Sequence, residues 1–487
     1  MTQDPRQPAV RAPAARRAAL AAIAVVLALV LGGVIYVVGD HGTPADTSDD
    51  RPTTSTTTAD PSVVPPASAR PTTATAVLQA LSPQGSPLAD RVRAALGGIL
   101  TDPALGPAPG ISVVDAASGT SLVDIDADSA RIPASTTKLL TAAAALEVIG
   151  PDAHFRTRVV APGPGQIVLV GGGDPALSQR TASDDDWPYA VTALANLATK
   201  TATALQAQGV TSVQVAYAAD LFAGPSVNAD WPAGYISSGQ VGPITALSLD
   251  GSRRTPGLAS RVDDPPAYAA ERFAALLSEA GIAATVASAV PTPAAGATDL
   301  ASVDSPSVAD LVSQMLLRSD NDVAEILARQ VALTAGQPAS FAGIQAAITG
   351  ALTPLEVPVN GLSLADGSGL ARTDQIAPAT LAATLVAAVD PKRQELRPLL
   401  TGLPVAGFTG TLAQRFADPG APIGTGDIRA KTGYLSGVVA LAGYVRDEND
   451  QLLVFAFVAN GVPGDRTADA QKAVDDLAVR LAACGCS

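Results

Sequence analysis

Histidine and cysteine are almost missing from this sequence, two of each in 487 residues, and aromatic residues make up only 3%. His41 lies in a Pro/Thr/Asp-rich stretch, which leaves His154 as the one histidine expected in a folded region. The shortage excludes a His-ligated zinc site, a Cys-x-x-Cys finger and most disulfide scaffolds, and a Ser-His-Asp triad would depend on His154 alone. No metal and no cofactor is expected. Cys484 and Cys486 stand at the end of the chain, and because a bridge between residues two apart is strained, they read as tail thiols. Positive charge is scarce as well: 31 Lys plus Arg face 45 Asp plus Glu, a balance of −14. Residues 1–39 hold Arg6, Arg11, Arg16 and Arg17 against Asp4, so the remainder carries −17. A body this acidic argues against a nucleic-acid partner, which needs a phosphate-neutralising face.

Apolar residues, by contrast, are plentiful at 47%, enough for a large core and two to three domains. Residues 18–39 form an uncharged run of 22, long enough to cross about 30 Å of hydrocarbon as a helix. Four arginines precede it, and Asp40, Asp46, Asp49 and Asp50 follow. The positive-inside rule then predicts a cytoplasmic tail at 1–17 and a single-pass anchor in the cell membrane, with the body of the chain outside the cytoplasm. A cleaved signal peptide is the rival, but its apolar core is shorter and ends at an Ala-x-Ala-like site, which Tyr36–Asp40 lacks. Residues 40–76, with Thr53-Thr54, Thr56-Thr57-Thr58 and Pro65-Pro66, read as a disordered linker.

The body is expected to be 77–487. Ile111–Asp115 and Ser121–Ile125 alternate around a Ser-Gly turn and read as a β-hairpin. A helix is predicted over 135–149, stopped by Gly150-Pro151. The middle, 156–300, shows strands at 166–170 and 212–216 and a helix at 188–208, and it ends in a Pro/Ala-rich seam at 289–297. Helices follow at 308–317 and 323–333. Three apolar strands at 428–432, 438–445 and 452–458 precede a last helix at 467–482. Strands at both ends with helices between predict an α+β sheet whose edge is the C-terminal hairpin.

Three motifs occur in order: Ser135-Thr136-Thr137-Lys138, Ser319-Asp320-Asn321 and Lys431-Thr432-Gly433. Ser135 and Lys138 are three apart and share one face of a helix. Pro133-Ala134 places the helix start there, with Ser135 at its positive end. Burial near a second cation would lower the Lys138 pKa and let it accept the serine proton, which an always-protonated arginine does not do. The chain uses only five lysines against 26 arginines, and two of the five fall in these motifs. Singly, each motif has a bland reading as an N-cap, a turn or a solvated strand end. In order, each at an element boundary, they argue for a catalytic set.

That set resembles the serine motifs of penicillin-binding proteins and class A β-lactamases. The flanking stretches narrow it: Gly171-Gly172-Gly173-Asp174-Pro175, Ala246-Leu247-Ser248, Ser319-Asp320-Asn321-Asp322-Val323-Ala324-Glu325, Asp366-Gly367-Ser368-Gly369-Leu370, and Lys431-Thr432-Gly433 leading into Ala440-Leu441-Ala442-Gly443-Tyr444. Together they resemble the low-molecular-mass class C penicillin-binding proteins, the D-alanyl-D-alanine carboxypeptidase/endopeptidase family, over nearly all of 85–480. The 184 residues from Ser135 to Ser319 leave room for the large insertion of that family. The resemblance implies a DD-peptidase/serine β-lactamase-like antiparallel sheet with helices on both faces. The peptidase domain would be 77–155 with 301–487, interrupted by an inserted domain at 156–300.

It further implies Ser135 as nucleophile, Lys138 as its base, and Ser319 and Asn321 as proton relay and amide holder. Lys431 and Thr432 would bind the terminal carboxylate, and the backbone N–H groups of Ser135 and Tyr434 would form the oxyanion hole beside Gly433. Tyr434 stands where relatives often have Thr, and its bulk is expected to narrow the groove. Asp174 and Arg372, each in a glycine-rich loop, are candidates for meeting the charged side chain of the stem peptide. The partners implied are peptidoglycan stem peptides, β-lactams as covalent inhibitors, and the membrane through the N-terminal helix. A β-lactamase is the alternative, but none of the seven glutamates sits in a Glu-x-x-Leu-Asn context and no Tyr-x-Asn occurs. A non-catalytic cell-wall binding protein is the other alternative, disfavoured because both lysines and both serines are present.

Overall fold

In the computed structural model, which describes residues 85–181, 190–293, 299–416 and 424–487, the chain builds two five-stranded sheets, the second nested inside the sequence of the first. Helix α1 (Ala89–Leu96) leads to the hairpin β1 (Gly110–Asp115) and β2 (Ser121–Ile125), then to a 3₁₀ turn (Ala134–Thr137) and α2 (Lys138–Val148). The inserted sheet follows: β3 (Arg156–Gly163), β4 (Gln166–Val170), the short β5 (Leu177–Ser178) and β6 (Thr192–Ala193), α3 (Leu194–Ala207), β7 (Ser212–Ala218), α4 (Pro265–Glu279), β8 (Ala283–Ala289) and β9 (Asp299–Asp304). The chain returns through α5 (Val308–Arg318), α6 (Asn321–Thr334), α7 (Phe341–Leu352) and α8 (Pro378–Val389). It finishes with β10 (Ile428–Leu435), β11 (Val438–Arg446), β12 (Leu452–Asn460) and α9 (Thr467–Ala482).

The first sheet is antiparallel throughout, in the order β10-β11-β12-β1-β2, so the N-terminal hairpin completes a sheet begun by the C-terminal meander. Strand β12 shows why its sequence is apolar from Leu452 to Ala459: Leu453, Phe455, Phe457 and Ala459 pack toward α1 and α9, while Val454, Ala456 and Val458 pack toward α2 and α6–α8. A strand covered on both faces loses its polar alternation. Each fully buried Phe or Leu here contributes about 2 kcal/mol. The inserted sheet is mixed, in the order β8-β7-β4-β3-β9, with parallel pairs β4–β7 and β7–β8. Helices α3 and α4 cover one face of it.

Of the elements named here, four helices (α1, α4, α7 and α8) and five strands (β3, β5, β6, β8 and β9) were not anticipated from the sequence. Helix α8 is buried over most of its surface, and α7 exposes Ala342, Ala346 and Gly350 with only Gln345 polar, so neither presents a polar face for a 3.6-residue period to reveal. The helix expected from 188 starts at Leu194, after Thr192 and Ala193 have formed β6.

Two expectations are corrected. Cys484 and Cys486 are bonded to each other and buried beside α1 and α9, so they are not tail thiols. The tail that carries them is held in place: the Leu88 N–H donates to the Cys486 carbonyl at 2.9 Å, and Asn449 Nδ2 donates to the Ser487 hydroxyl at 2.6 Å. The single-pass membrane placement is the second. Among the described residues no helix is long and apolar enough to cross a membrane, and the 18–39 run that prompted the expectation, with the 40–76 linker, lies outside the described residues.

Candidate active site

Ser135 sits in the 3₁₀ turn that opens α2, where the expected helix start is drawn tighter than an α-turn. The hydroxyls of Thr136 and Thr137 hold the turn by donating back to the carbonyls of Pro133 and Ala134, at 2.7 and 2.9 Å. Ala134, immediately before the serine, has φ +49°, a strained conformation for a residue with a Cβ. Two glycines press on this turn. Gly433 of β10 lies so close that a Cβ there would meet the Pro133 carbonyl oxygen at 2.7 Å. Gly369, at φ +82°, would place a Cβ only 1.9 Å from the Ala134 oxygen. Substituting either residue forces the turn apart.

One turn on, Lys138 is fully buried, with its stem in the core beneath α2. Its ammonium nitrogen lies 3.0 Å from Ser135 Oγ, 2.7 Å from Asn321 Oδ1 and 2.7 Å from the Ser368 carbonyl oxygen. Asn321 opens α6 and is fixed at its other end by donating Nδ2 to the Gln240 carbonyl at 2.8 Å. Ser319 caps the C-terminus of α5 with φ +56° and accepts Lys431 Nζ at 2.9 Å. Lys431 also donates to the Thr432 carbonyl at 2.8 Å, and Thr432 Oγ1 meets Thr411 Oγ1 at 3.0 Å. The elements thus gather Ser135, Lys138, Ser319, Asn321 and Lys431 around one point, from α2, the α5–α6 corner and β10.

Burial dominates the electrostatics. It brings the Lys138 ammonium down to about 8, against the opposing pull of Asp366, Glu325, Asp320 and Asp374. Lys431, also fully buried, falls well below the ordinary lysine range, first through desolvation and then through the charges of Lys138 and Arg415. The Lys138 amine thereby spends part of the neutral-to-alkaline range uncharged, as a proton acceptor must. The arrangement can activate the Ser135 hydroxyl without a histidine. The ring of His154 bonds the Ser305 carbonyl at 2.7 Å, where the inserted sheet joins the rest, not Ser135.

The remaining candidates stand apart from this cluster. Tyr434 is 62% exposed and, by strand alternation, lies on the face of β10 opposite Lys431 and Gly433, so its ring does not narrow the site from the lysine side. Arg372 is exposed and donates to the Ser436 carbonyl in the β10–β11 turn at 2.8 Å. Asp174 is buried: one carboxylate oxygen accepts the Ala176 N–H at 2.8 Å, and desolvation pushes its pKa up to about 7. The structure also shows what sequence reasoning passed over. The stretch 219–262 of the insertion wraps back onto the peptidase elements. Asn228 donates to the Ala365 carbonyl, Trp231 to Asp366, and Asp322 receives the Gly242 N–H together with Arg261 and Arg253. Glu325, Asp366 and Asp374 are buried around Lys138. The only sequence signal for them was the Asp-Gly-Ser-Gly string and a glutamate four residues beyond Asn321.

Comparison with known proteins agrees with this geometry. The sequence profile of the D-Ala-D-Ala carboxypeptidase 3 (S13) family matches residues 92–260 and 252–481. A carboxypeptidase of Mycobacterium tuberculosis is 37% identical over 423 residues, covering 86% of this chain and 89% of the relative. Carboxypeptidase DacB of Mycolicibacterium smegmatis is 34% identical over 472 residues, 96% of each chain. The crystal structure of penicillin binding protein 4 (dacB) from Haemophilus influenzae superposes with a TM-score of 0.63 at 21% identity, covering 79% of this chain and 98% of that one, a likeness of fold.

Proposed function

We infer the function from a plain premise: the chain belongs to the D-Ala-D-Ala carboxypeptidase 3 (S13) family. It is a penicillin-sensitive serine D-Ala-D-Ala carboxypeptidase acting on peptidoglycan stem peptides, able to release the terminal D-Ala or to cut cross-links through an acyl-enzyme. The observation that supports this most is the buried Lys138 amine held 3.0 Å from Ser135 Oγ. In our reading Lys138 takes the Ser135 proton as Oγ attacks the carbonyl carbon of the penultimate D-Ala. The negative charge on the carbonyl oxygen is met by the backbone N–H groups of Ser135 and Tyr434. The C–N bond then breaks, the leaving amine takes a proton through Ser319 and Lys431, and water hydrolyses the ester to restore the serine. Lys431 and Thr432 hold the terminal carboxylate, and Asn321 orients the scissile amide. A penicillin enters the same site and stops at the ester.

The test is product analysis. Purified protein incubated with muropeptides is expected to release D-Ala, read by mass, and to turn over penicillin only slowly. Fast penicillin hydrolysis without D-Ala release would make it a β-lactamase, and neither product would make it a binding protein.

Asp174 and Arg372 belong to this proposal as the pair that meets the amine and carboxylate of the stem-peptide side chain. A buried aspartate pushed up to about 7 regains its charge when an ammonium docks beside it, which favours such a ligand. Asp174→Ala and Arg372→Ala are each expected to raise KM for the natural peptide while leaving penicillin acylation of Ser135 nearly unchanged, since penicillin lacks that side chain. Equal losses on both ligands would remove the recognition role and leave Asp174 as the closure of its turn and Arg372 as the tie to Ser436.

A further inference from the structure

Behind Lys138 lie three buried carboxyls that no step above uses: Glu325 on α6, and Asp366 and Asp374 on the loop before α8. Asp366 accepts four N–H groups. Ser368 N at 3.1 Å and Gly369 N at 2.7 Å reach one oxygen, and Ala371 N and Trp231 Nε1, both at 2.7 Å, reach the other. A carboxyl filled by four donors is held as an acceptor-only anion. Its two neighbours are not. Asp374 accepts only the Ala365 N–H, at 2.7 Å, and burial first and the neighbouring Asp366 second raise it well above the usual carboxylate range. Glu325 is pushed up to about 8, by burial first and by Asp366 second. Asp366 is thus the one carboxyl of the three whose oxygens are both fully engaged by N–H donors.

One peptide unit joins that charge to the lysine. The Gly369 N–H points at Asp366, and the carbonyl of the same unit, on Ser368, accepts Lys138 Nζ at 2.7 Å. Hydrogen bonds in series through one amide polarise each other. The unit has no room to turn, because Gly369 is packed against the Ala134 carbonyl of the nucleophile's own turn.

We propose that Asp366 is the positioning residue for Lys138: through the Ser368–Gly369 peptide unit it aims a carbonyl at Nζ. The proposal rests on Lys138 acting as the base for Ser135. The other groups facing Lys138 are Asp374 from the same loop, Glu325 and Asp320 from α6 and its cap, and Lys431 from β10. Asp366 is the largest of the opposing charges.

The readout is the pH profile of covalent acylation by a labelled penicillin, measured on the purified protein. Acylation needs the neutral amine, so its acid limb reports Lys138. Removing the anion makes the amine easier to deprotonate, and Asp366→Asn is expected to move the limb to lower pH by about one unit. Glu325→Gln replaces a group pushed up to about 8, charged only in the upper part of the limb, and is expected to move the limb less than Asp366→Asn. If Asp366→Asn does not fold, Asp366→Ser carries the test: it removes the anion while its hydroxyl can still accept the Ser368 or Gly369 N–H, and it moves the limb the same way. A limb that stays at the wild-type pH in whichever variants fold overturns the proposal, as does one that moves as far or further in Glu325→Gln. Lys138→Ala run alongside separates the two readings. If it acylates normally, the base assignment falls. If it collapses while the Asp366→Asn limb is unmoved, the positioning role alone falls.

Discussion

Ser135→Ala abolishes covalent attachment of a labelled penicillin and release of D-Ala, while the protein keeps its fold. The loss is expected to be complete because the ester forms on Oγ and the neighbouring hydroxyls are turned away. Thr136 and Thr137 spend theirs on the carbonyls of Pro133 and Ala134, and Ser319 is engaged by Lys431. The structural cost is small. Ser135 is only half-buried, and its side chain makes one bond, to Lys138, whose amine keeps Asn321 and the Ser368 carbonyl. Losing one such bond costs about 1 kcal/mol. Gel fluorography or intact mass of the labelled protein, beside a thermal melt, measures both quantities. Labelling that survives the substitution would move the nucleophile elsewhere.

How much of this was legible before the fold was known differs by layer. The five residues gathered at the centre announce themselves because chemistry restricts them to short strings at element boundaries: a serine one helical turn before a lysine, a serine two residues before an asparagine that opens a helix, a lysine two residues before a glycine that must touch another backbone. The strands β10–β12 were equally readable, since each is an apolar run between turn residues. What surrounds the centre was not. The hold of Gln240 on Asn321 joins residues 81 positions apart, and that of Trp231 on Asp366 joins residues 135 apart. Nothing local distinguishes those partners from other polar residues of the insertion. The strain at Ala134 is also invisible in sequence, because alanine carries no preference for positive φ and is forced there by Gly369 and Gly433. The pairing of Cys484 with Cys486 was misread for a related reason: strand and tail contacts through Leu88 and Asn449, not local spacing, fold the end of the chain back.

Lys138→Ala is expected to slow penicillin acylation by roughly 10³-fold, within the range general-base removal produces. No other group takes over. Lys431 is the nearest second amine, but it bonds Ser319 and the Thr432 carbonyl rather than Ser135. Arg415, whose charge also reaches Lys431, stays protonated and serves no better. The same substitution also strips a fully buried carboxylate environment of its nearest cation. Asp366 then keeps its four N–H donors, but Asn321 Oδ1 and the buried Ser368 carbonyl lose theirs and a cavity opens where the lysine stem lay, a cost on the order of 1–3 kcal/mol for the unmet acceptors alone. Activity and stability should therefore fall together in Lys138→Ala, and a second variant separates them. Lys138→Arg restores a cation without restoring a base: it is expected to recover part of the melting temperature, as far as the larger side chain fits, and none of the acylation rate. Recovery of acylation with arginine would mean that position 138 supplies charge alone, and the proton from Ser135 would then need another acceptor.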